Sequence, residues 1–394
     1  MKTKTLPEDW KEVELSEVCK IVSGSTPSTA RPEFWDGYIN WITPAEISEG
    51  HNWYYSDTQR KITNEGLKSC SSELFPKGTV MLTTRAPIGK VAIAGTEMCS
   101  NQGFKNFVCD EKRLNPEFLY FWLRANKKNL QNLGRGATFT EISKTIVSKI
   151  KIPLPPLPVQ KAIVSVLEKA EKLKQQRAEA DKLTQEYLQS VFYEMFMRKE
   201  FEKIKIEEGI LKTENKSPEK EFPEKPFNYI DIASIDNISK KIIETKEILG
   251  RDAPSRAKQE VHKKDVIVST VRPNLNAVSI VPEELNGQIC STGFCILRAD
   301  NKKFISEYLY FISQAKFFVK DLVNKCKGAN YPAVSNRDIH SMQIPLPPIS
   351  LQNKFTAIVE KVEAMREQQK KAKVEIDNLF NSLMQRAFKG ELVR

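Results

Sequence analysis

The sequence is poor in the residues from which most metal and redox centres are built. It has seven cysteines, an odd number with no CxxC pair, and only three histidines, none at metal-ligand spacing. We therefore expect neither a disulfide framework nor a thiolate zinc site. No signal peptide is evident and every apolar run is shorter than a membrane span, so we expect a soluble, cytoplasmic protein with no membrane partner.

Motifs for nucleotide binding and for hydrolysis are lacking too. There is no G-x-x-x-x-G-K-[ST] loop, no glycine fingerprint between a strand and a helix, and no G-x-S-x-G elbow. The proline-rich segments lack the polar residue before a Pro-Pro pair with which an amino-methyltransferase holds a base amine. These absences predict a chain without an active site, and we expect it to bind no cofactor.

What the sequence has instead is an internal duplication. Residues 150–156 (IKIPLPP) recur as residues 342–348 (MQIPLPP), and a glutamine follows each copy at the same place, Gln160 and Gln352. The offset is 192 residues here and falls to 187 further upstream, with the order of the matching residues preserved. Because this period is nearly half of the 394 residues, it predicts two tandem units, each a globular domain followed by a helix.

The net charge of +11 is spread evenly along the chain. Lys and Arg exceed Asp and Glu by three in residues 1–150, two in 151–200, three in 201–345 and three in 346–394. A basic tail is thereby excluded. The pattern suits a polyanion that both halves touch, and it suits equally a protein that is merely basic and soluble.

Each proline-rich segment opens an amphipathic helix of about 35 to 40 residues. Its apolar residues step by three and four along one seam, and the two seams share a register. The host domain, another chain or the other helix could cover them, and charge on the flanking faces favours the last option, an antiparallel coiled coil. The seam residues expected to pair the helices or to dock other subunits are Ile163, Val166, Leu173, Tyr187, Phe355, Ile358, Val362, Met365 and Leu379.

The rest of the sequence predicts two α+β domains, and paired helices between them would make the chain pseudo-twofold symmetric. We expect a first strand at residues 13–18, a helix at 305–325 and, at 212–225, a mobile connector rich in Lys, Glu and Pro. The expected regions are a first domain at 1–152, a first helical spacer at 153–200, a second domain at 201–344 and a second spacer at 345–394.

A polar loop that contains glycine precedes the last strand of each domain. Glycine lets the backbone approach a ligand, a basic side chain can meet a phosphate or a guanine edge, and an aromatic ring can stack. A tight turn whose aromatic residue anchors in the core explains the same pattern. The candidate DNA-binding residues of the two loops are Arg135, Thr138, Phe139, Lys327, Asn330 and Tyr331.

Arg85 and Arg272 form a second matched pair of candidates. Each lies two residues after a threonine, Thr83 or Thr270, at the end of a predicted strand. A structural salt bridge explains an arginine in that position, and a contact to a nucleic acid is the alternative.

Taken in order, these features resemble a specificity subunit of a bacterial or archaeal type I restriction-modification system. The resemblance spans essentially the whole chain and rests on the opening segment with Trp10, on residues 24–27 (GSTP), on both loops and above all on both I-P-L-P-P-x-x-x-Q helix starts. It implies two target recognition domains, each reading half of a split, asymmetric DNA sequence. It also implies that two methyltransferase subunits dock on the helices, that restriction subunits join the complex, and that these partners carry S-adenosylmethionine, ATP and magnesium.

The second domain departs from this pattern, because Phe201 and Ile204 stand where the first domain opens with tryptophan. Two other interpretations stay open. A coiled-coil scaffold that binds only protein would shift no DNA even with a methyltransferase present. A stand-alone DNA-modifying enzyme would act when given only a methyl donor.

Overall fold

A computed structural model describes residues 6–48, 53–85, 87–134, 141–326 and 332–393. The chain separates into two units, of which the first comprises Met1–Glu179 with Lys370–Arg394 and the second Ala180–Gln369. Each unit mixes strands and helices, which confirms the α+β class. Among the described residues, no helix combines the length and apolar character that a membrane span needs.

The elements alternate along the chain. The strands are β1 (Lys11–Glu14), β2 (Cys19–Ser23), β3 (Trp35–Ile42), β4 (Tyr54–Tyr55), β5 (Lys61–Ile62), β6 (Val80–Thr83), β7 (Val91–Ala94), β8 (Cys99–Ser100), β9 (Phe104–Cys109), β10 (Lys151–Leu154), β11 (Lys203–Lys205), β12 (Ile210–Leu211), β13 (Pro226–Ile230), β14 (Lys246–Leu249), β15 (Ala257–Val261), β16 (Val266–Ser269), β17 (Val278–Ile280), β18 (Gln288–Ser291), β19 (Phe294–Ala299) and β20 (Gln343–Pro345). The helices are α1 (Leu15–Val18), α2 (Asn64–Lys68), α3 (Pro116–Ala125), α4 (Lys127–Leu133), α5 (Lys144–Ser148), α6 (Leu157–Phe192), α7 (Pro218–Glu221), α8 (Ser306–Ile312), α9 (Lys316–Lys325), α10 (Asn336–His340) and α11 (Ile349–Ala387).

The globular part of the first unit is built on three small sheets. Their strand orders are β2-β9-β6-β7-β4, β5-β3-β8 and β1-β10. Helix α3 packs on β6 and β7, and it begins where Asn115 accepts a hydrogen bond from the Phe118 amide and Pro116 fills the first position. Phe107, Phe118 and Phe121 are fully buried in the core that these elements share.

The second unit repeats most of this topology, without a counterpart of β4 and with β15 added beside β18. Its strand orders are β12-β19-β16-β17, β14-β13-β18-β15 and β11-β20. The parallel pairing of β3 with β8 recurs as the parallel pairing of β13 with β18, and α8 packs on β16, β17 and β19. The repeated sheet order confirms the internal duplication.

Each proline-rich segment forms a two-stranded antiparallel pair with the opening segment of its own unit. Val13 faces Ile152 in the first pair, and Ile204 faces Ile344 in the second. Ile204 therefore takes the place of Val13 although the second opening lacks the tryptophan. The proline in each pair is tolerated because a two-stranded ladder has only edge strands.

In the first unit, the first part of α6 packs antiparallel against the last part of α11. Lys174 Nζ lies 2.8 Å from Asp377 Oδ1. The buried residues that the two segments contribute to the core of this unit are Ile163, Val164, Leu167, Ala170, Phe380, Met384 and Ala387.

In the second unit, the last part of α6 packs against the first part of α11, again with opposite directions. The rings of Phe192 and Phe355 are 5.4 Å apart, and Gln369 Nε2 donates to Thr184 Oγ1 at 3.3 Å. The helix halves thus pair antiparallel in each unit.

Burial varies along the predicted seam. Ile163, Phe355 and Val362 are buried, and Val166 and Ile358 are half-buried. Four further seam residues have side chains exposed by 43 to 52%, namely Leu173, Tyr187, Met365 and Leu379. Their part in helix pairing or subunit docking stays a prediction.

The prediction of a mobile connector at 212–225 is wrong. Lys216 Nζ lies 2.6 Å from Glu260 Oε1, Pro218 is buried, and the ring of Phe222 lies 5.9 Å from that of Phe227. Two apolar anchors hold the segment on its domain despite its polar composition.

Two other predicted elements are interrupted. The strand expected at 13–18 gives way to α1, whose start is fixed when the Glu17 side chain accepts the Glu14 amide at 2.7 Å. The helix expected at 305–325 is broken into α8 and α9, where the Ser313 hydroxyl donates to the Leu309 carbonyl at 2.7 Å. The long helices begin at Leu157 and Ile349, while the four predicted regions stay a prediction.

Candidate nucleic-acid interface

The glutamine after the first proline-rich segment ties α6 to its domain. Gln160 is fully buried. Its Oε1 accepts the Asn115 amide at 2.8 Å, and its Nε2 donates to the carbonyls of Arg113 and Pro155, each at 2.8 Å. One side chain thereby joins the start of α6 to the segment that begins α3.

Gln352 does the same in the second unit. Its Oε1 accepts the Ile305 amide at 3.0 Å, and its Nε2 donates to the carbonyls of Lys303 at 2.8 Å and Pro347 at 2.9 Å. The matched glutamines of the sequence therefore fix how each long helix leaves its own domain.

Arg85 lies beside the end of the first polar loop. Its Nε donates to Glu141 Oε2 at 2.8 Å, and Lys105 Nζ lies 3.6 Å from the other oxygen of the same carboxylate. The side chain of Arg85 is 45% exposed and that of Lys105 only 7%. The salt bridge considered as the alternative for Arg85 is thus present, and it leaves the guanidinium partly open to solvent.

The charges at this place do not balance. Burial lowers the pKa of Lys105, and the neighbouring Glu141 carboxylate opposes that shift. One carboxylate faces two cations, so the strand end keeps a positive excess. Sequence reasoning missed Glu141 and Lys105, because Glu141 is 56 residues from Arg85 along the chain and no spacing signals the contact.

Arg272 lies beside the end of the second polar loop. Its backbone is left-handed, with φ of 48°, and its amide donates to the Pro332 carbonyl at 2.8 Å. Val271 forms an isolated bridge with Ala333, as Arg85 does with Glu141. The side chain of Arg272 is exposed.

Both polar loops close on the same point of the fold. The Ile142 amide donates to the Thr84 carbonyl and the Val334 amide to the Thr270 carbonyl, both at 2.9 Å. The structure therefore places an arginine beside the loop end in each unit, but the two positions are not equivalent: Val271 occupies the place of Arg85, and Arg272 is the next residue. The loop candidates themselves lie outside the described residues, and their DNA contacts stay a prediction: Arg135, Thr138, Phe139, Lys327, Asn330 and Tyr331.

Two tryptophans hold the GSTP motif of the first unit and the serine that follows it. Trp41 Nε1 donates to the Ser25 carbonyl at 2.9 Å and Trp35 Nε1 to the Ser28 carbonyl at 3.1 Å. A Cβ on Gly24 would lie 1.9 Å from the Asn101 carbonyl oxygen, so only glycine fits there. Within the described ranges no three His, Cys, Asp or Glu side chains cluster as metal ligands.

The sequence was compared with models of known protein families. The family model described as "Type I restriction modification DNA specificity domain" matches the chain twice, at residues 7–183 and 198–376. The chain belongs to this family of specificity subunits. The two matches coincide with the two repeats.

Individual relatives of this family align over nearly the whole chain. The type I restriction enzyme MjaIX specificity subunit of Methanocaldococcus jannaschii is 29% identical, over 98% of this chain and 94% of its own length. The EcoDI specificity subunit of Escherichia coli is 24% identical, over 100% of this chain and 90% of its own length.

Solved structures share the fold. A chain from a study titled "Structural basis underlying complex assembly and conformational transition of the type I R-M system" has a TM-score of 0.65 at 20% identity, and covers 98% of this chain and 100% of its own. The type I S subunit from M. genitalium has a TM-score of 0.53 at 15% identity, with 98% of both chains covered.

Proposed function

We propose that this specificity subunit reads a bipartite, asymmetric sequence in double-stranded DNA. The observation that carries the proposal is the repeated site: in each unit a polar loop closes on a strand end that bears an exposed or half-exposed arginine, Arg85 or Arg272. Two such sites of different sequence suit two half-sites of different sequence. Arginine beside a glycine-containing loop is suited to guanine edges and phosphates.

The subunit acts without catalysis of its own. The sequence motifs for nucleotide binding and hydrolysis are lacking, so methyl transfer and cleavage would belong to partner subunits that use S-adenosylmethionine, ATP and magnesium in the cytoplasm. The chain then supplies only the choice of DNA sequence.

Two methyltransferase subunits dock on the helices, and restriction subunits join through the resulting complex. The support comes from the exposed apolar residues that the helix seam leaves uncovered. Leu173 and Leu379 are exposed in the first unit, and Met365 and Tyr187 in the second. Because Met365 lies 192 residues after Leu173 and Leu379 lies 192 after Tyr187, the duplication supplies two equivalent patches.

The patch of the second unit lies in an open groove of about 610 Å³. It is lined by Leu183, Thr184, Glu186, Tyr187, Ser190 and Met365. A groove with an aromatic ring and a methionine at its walls suits an apolar anchor from a protein partner.

Methylome sequencing tests the proposal. A methylation-free host would express the cognate methyltransferase alone, this chain alone, or both. We expect one split motif to be methylated only when both are present. Methylation in the strain that expresses this chain alone would identify the chain as an enzyme. If the methyltransferase methylates the same motif with and without the chain, the chain is a scaffold that does not select the DNA sequence.

A further inference from the structure

A stacked arginine distinguishes the first unit from the second. The guanidinium carbon of Arg60 lies 3.7 Å from the ring centre of Trp35 and 5.5 Å from that of Trp41. Trp35 is buried and is itself fixed by its hydrogen bond to Ser28. The aromatic surface therefore holds the guanidinium plane in a defined position at the exposed surface.

The carboxylates nearest to Arg60 in the sequence are engaged elsewhere. Asp57 forms an ion pair with Lys61 at 2.9 Å, and Glu46 accepts the backbone amides of Thr43 and Gln59, both at 2.8 Å. Within the part of the chain that the structure describes, no carboxylate lies within ion-pair distance of the Arg60 guanidinium. The stack thus holds a cation that no carboxylate of the described residues neutralises.

Two other exposed arginines of the chain have acidic partners. Arg31, in the same unit, lies 3.1 Å from Glu33, and Arg251, in the second unit, lies 2.8 Å from Glu224. The second unit fills the corresponding subcore around β13 with Phe222 and Phe227. Of these three arginines, only Arg60 stacks on an indole ring and has no carboxylate beside it among the described residues.

We propose that Arg60 contacts DNA in the half-site that the first domain reads. The inference rests on the proposed function and assigns a residue outside the loops and strand ends described above. Because one face of the guanidinium lies on Trp35, its edge is the part offered to a ligand. That edge matches two adjacent acceptors, either guanine O6 and N7 or two oxygens of one phosphate.

The test uses the full-length chain in complex with its methyltransferase. Methylome sequencing of the wild-type complex gives the target, and fluorescence anisotropy then measures affinity for a duplex with that target and for duplexes altered at each base pair of the first half-site. We expect Arg60→Ala to weaken binding roughly 10- to 100-fold. Arg60→Lys should fail to restore it, because lysine lacks the planar pair of donors. Arg31→Ala, which removes the same charge from the same unit, should bind like wild type.

The pattern of loss identifies the contacted group. Loss of discrimination at one base pair means a base contact, whereas equal weakening on all duplexes, with a salt slope lower by about one, means a phosphate contact. Either result supports the proposal. If Arg60→Ala lowers the melting temperature, Arg60→Lys decides instead, because it keeps the charge and the side-chain stem over the ring.

Wild-type affinity in Arg60→Ala, or in Arg60→Lys where the alanine variant is unstable, would overturn the inference while leaving the proposed function intact. If instead the wild-type complex shows no sequence preference, the proposed function fails, and this inference fails with it.

Discussion

Each long helix is tied to its domain through one buried side chain, Gln160 or Gln352. Each glutamine uses its amide oxygen and its amide nitrogen, and all its partners are backbone groups in buried or partly buried positions. A buried polar group that loses its partner costs about 1 to 3 kcal/mol. The free energy of unfolding should therefore depend strongly on these two residues.

We predict that Gln160→Ala and Gln352→Ala each lower the free energy of unfolding by about 2 to 3 kcal/mol, because each leaves several buried backbone groups unpaired. Urea denaturation of the full chain measures this change. Gln343→Ala is the matched control, since Gln343 is exposed in β20 and should cost little. Equal stability of all three variants would show that the glutamine bonds do not hold the helices.

At the scale of residues, the sequence predicts which residues have a structural or binding role more reliably than it predicts their contacts. The repeat identifies both glutamines and both strand-end arginines. It cannot identify Glu141 as the partner of Arg85 or Trp35 as the partner of Arg60, because those contacts join segments that only the fold brings together. Arg60 has no counterpart in the second unit, so the repeat gave no signal for it.

At the scale of elements, the helices combine two tasks. Their buried residues form part of the core of their own unit, as Ile163 and Phe380 do in the first unit and Phe355 does in the second. Their exposed apolar residues, Leu173 and Leu379 in the first unit and Tyr187 and Met365 in the second, are the proposed docking positions. The apolar spacing in the sequence predicted a single seam for both groups of residues. Spacing shows which residues are apolar, but it does not show which surface covers each of them.

We predict that each patch binds one methyltransferase subunit. Leu173→Lys with Leu379→Lys should leave a complex with one methyltransferase, and so should Tyr187→Lys with Met365→Lys, because a lysine in an apolar contact must be desolvated. Native mass spectrometry of the purified complexes counts the subunits.

Val374→Lys is the control for this experiment. Val374 is also an exposed apolar residue of α11, but it belongs to neither patch, so its variant should retain two methyltransferase subunits. Two bound subunits in both double variants would show that docking occurs elsewhere.

At the scale of the whole molecule, the duplication was readable from sequence because it preserves order, spacing and turn chemistry over both halves. The repeated sheet orders follow from it. The duplication does not predict where the two units differ. Arg60 stacks on Trp35 in the first unit, whereas in the second unit Phe222 anchors a segment whose composition had predicted mobility. Divergent surfaces on one topology are what an asymmetric DNA target requires.

The modest net charge of +11 also belongs to this scale. It is spread over both halves, so phosphate neutralisation is shared and sequence choice depends on a few oriented side chains. We therefore infer that two separate reading sites, one in each unit, together define one split sequence.

Methylome sequencing of a helix-insertion variant tests that claim most directly. Four residues inserted after Gln176 and four after Val374 lengthen both helices by about 6 Å and roughly keep the apolar stripes in place. The insertions lie beside the Lys174 and Asp377 pair, where the two helices are in contact. We predict methylation of a motif with the same bases in both half-sites and a spacer longer by about two base pairs, at 3.4 Å each. An unchanged spacer, or changed bases in either half-site, would contradict the account.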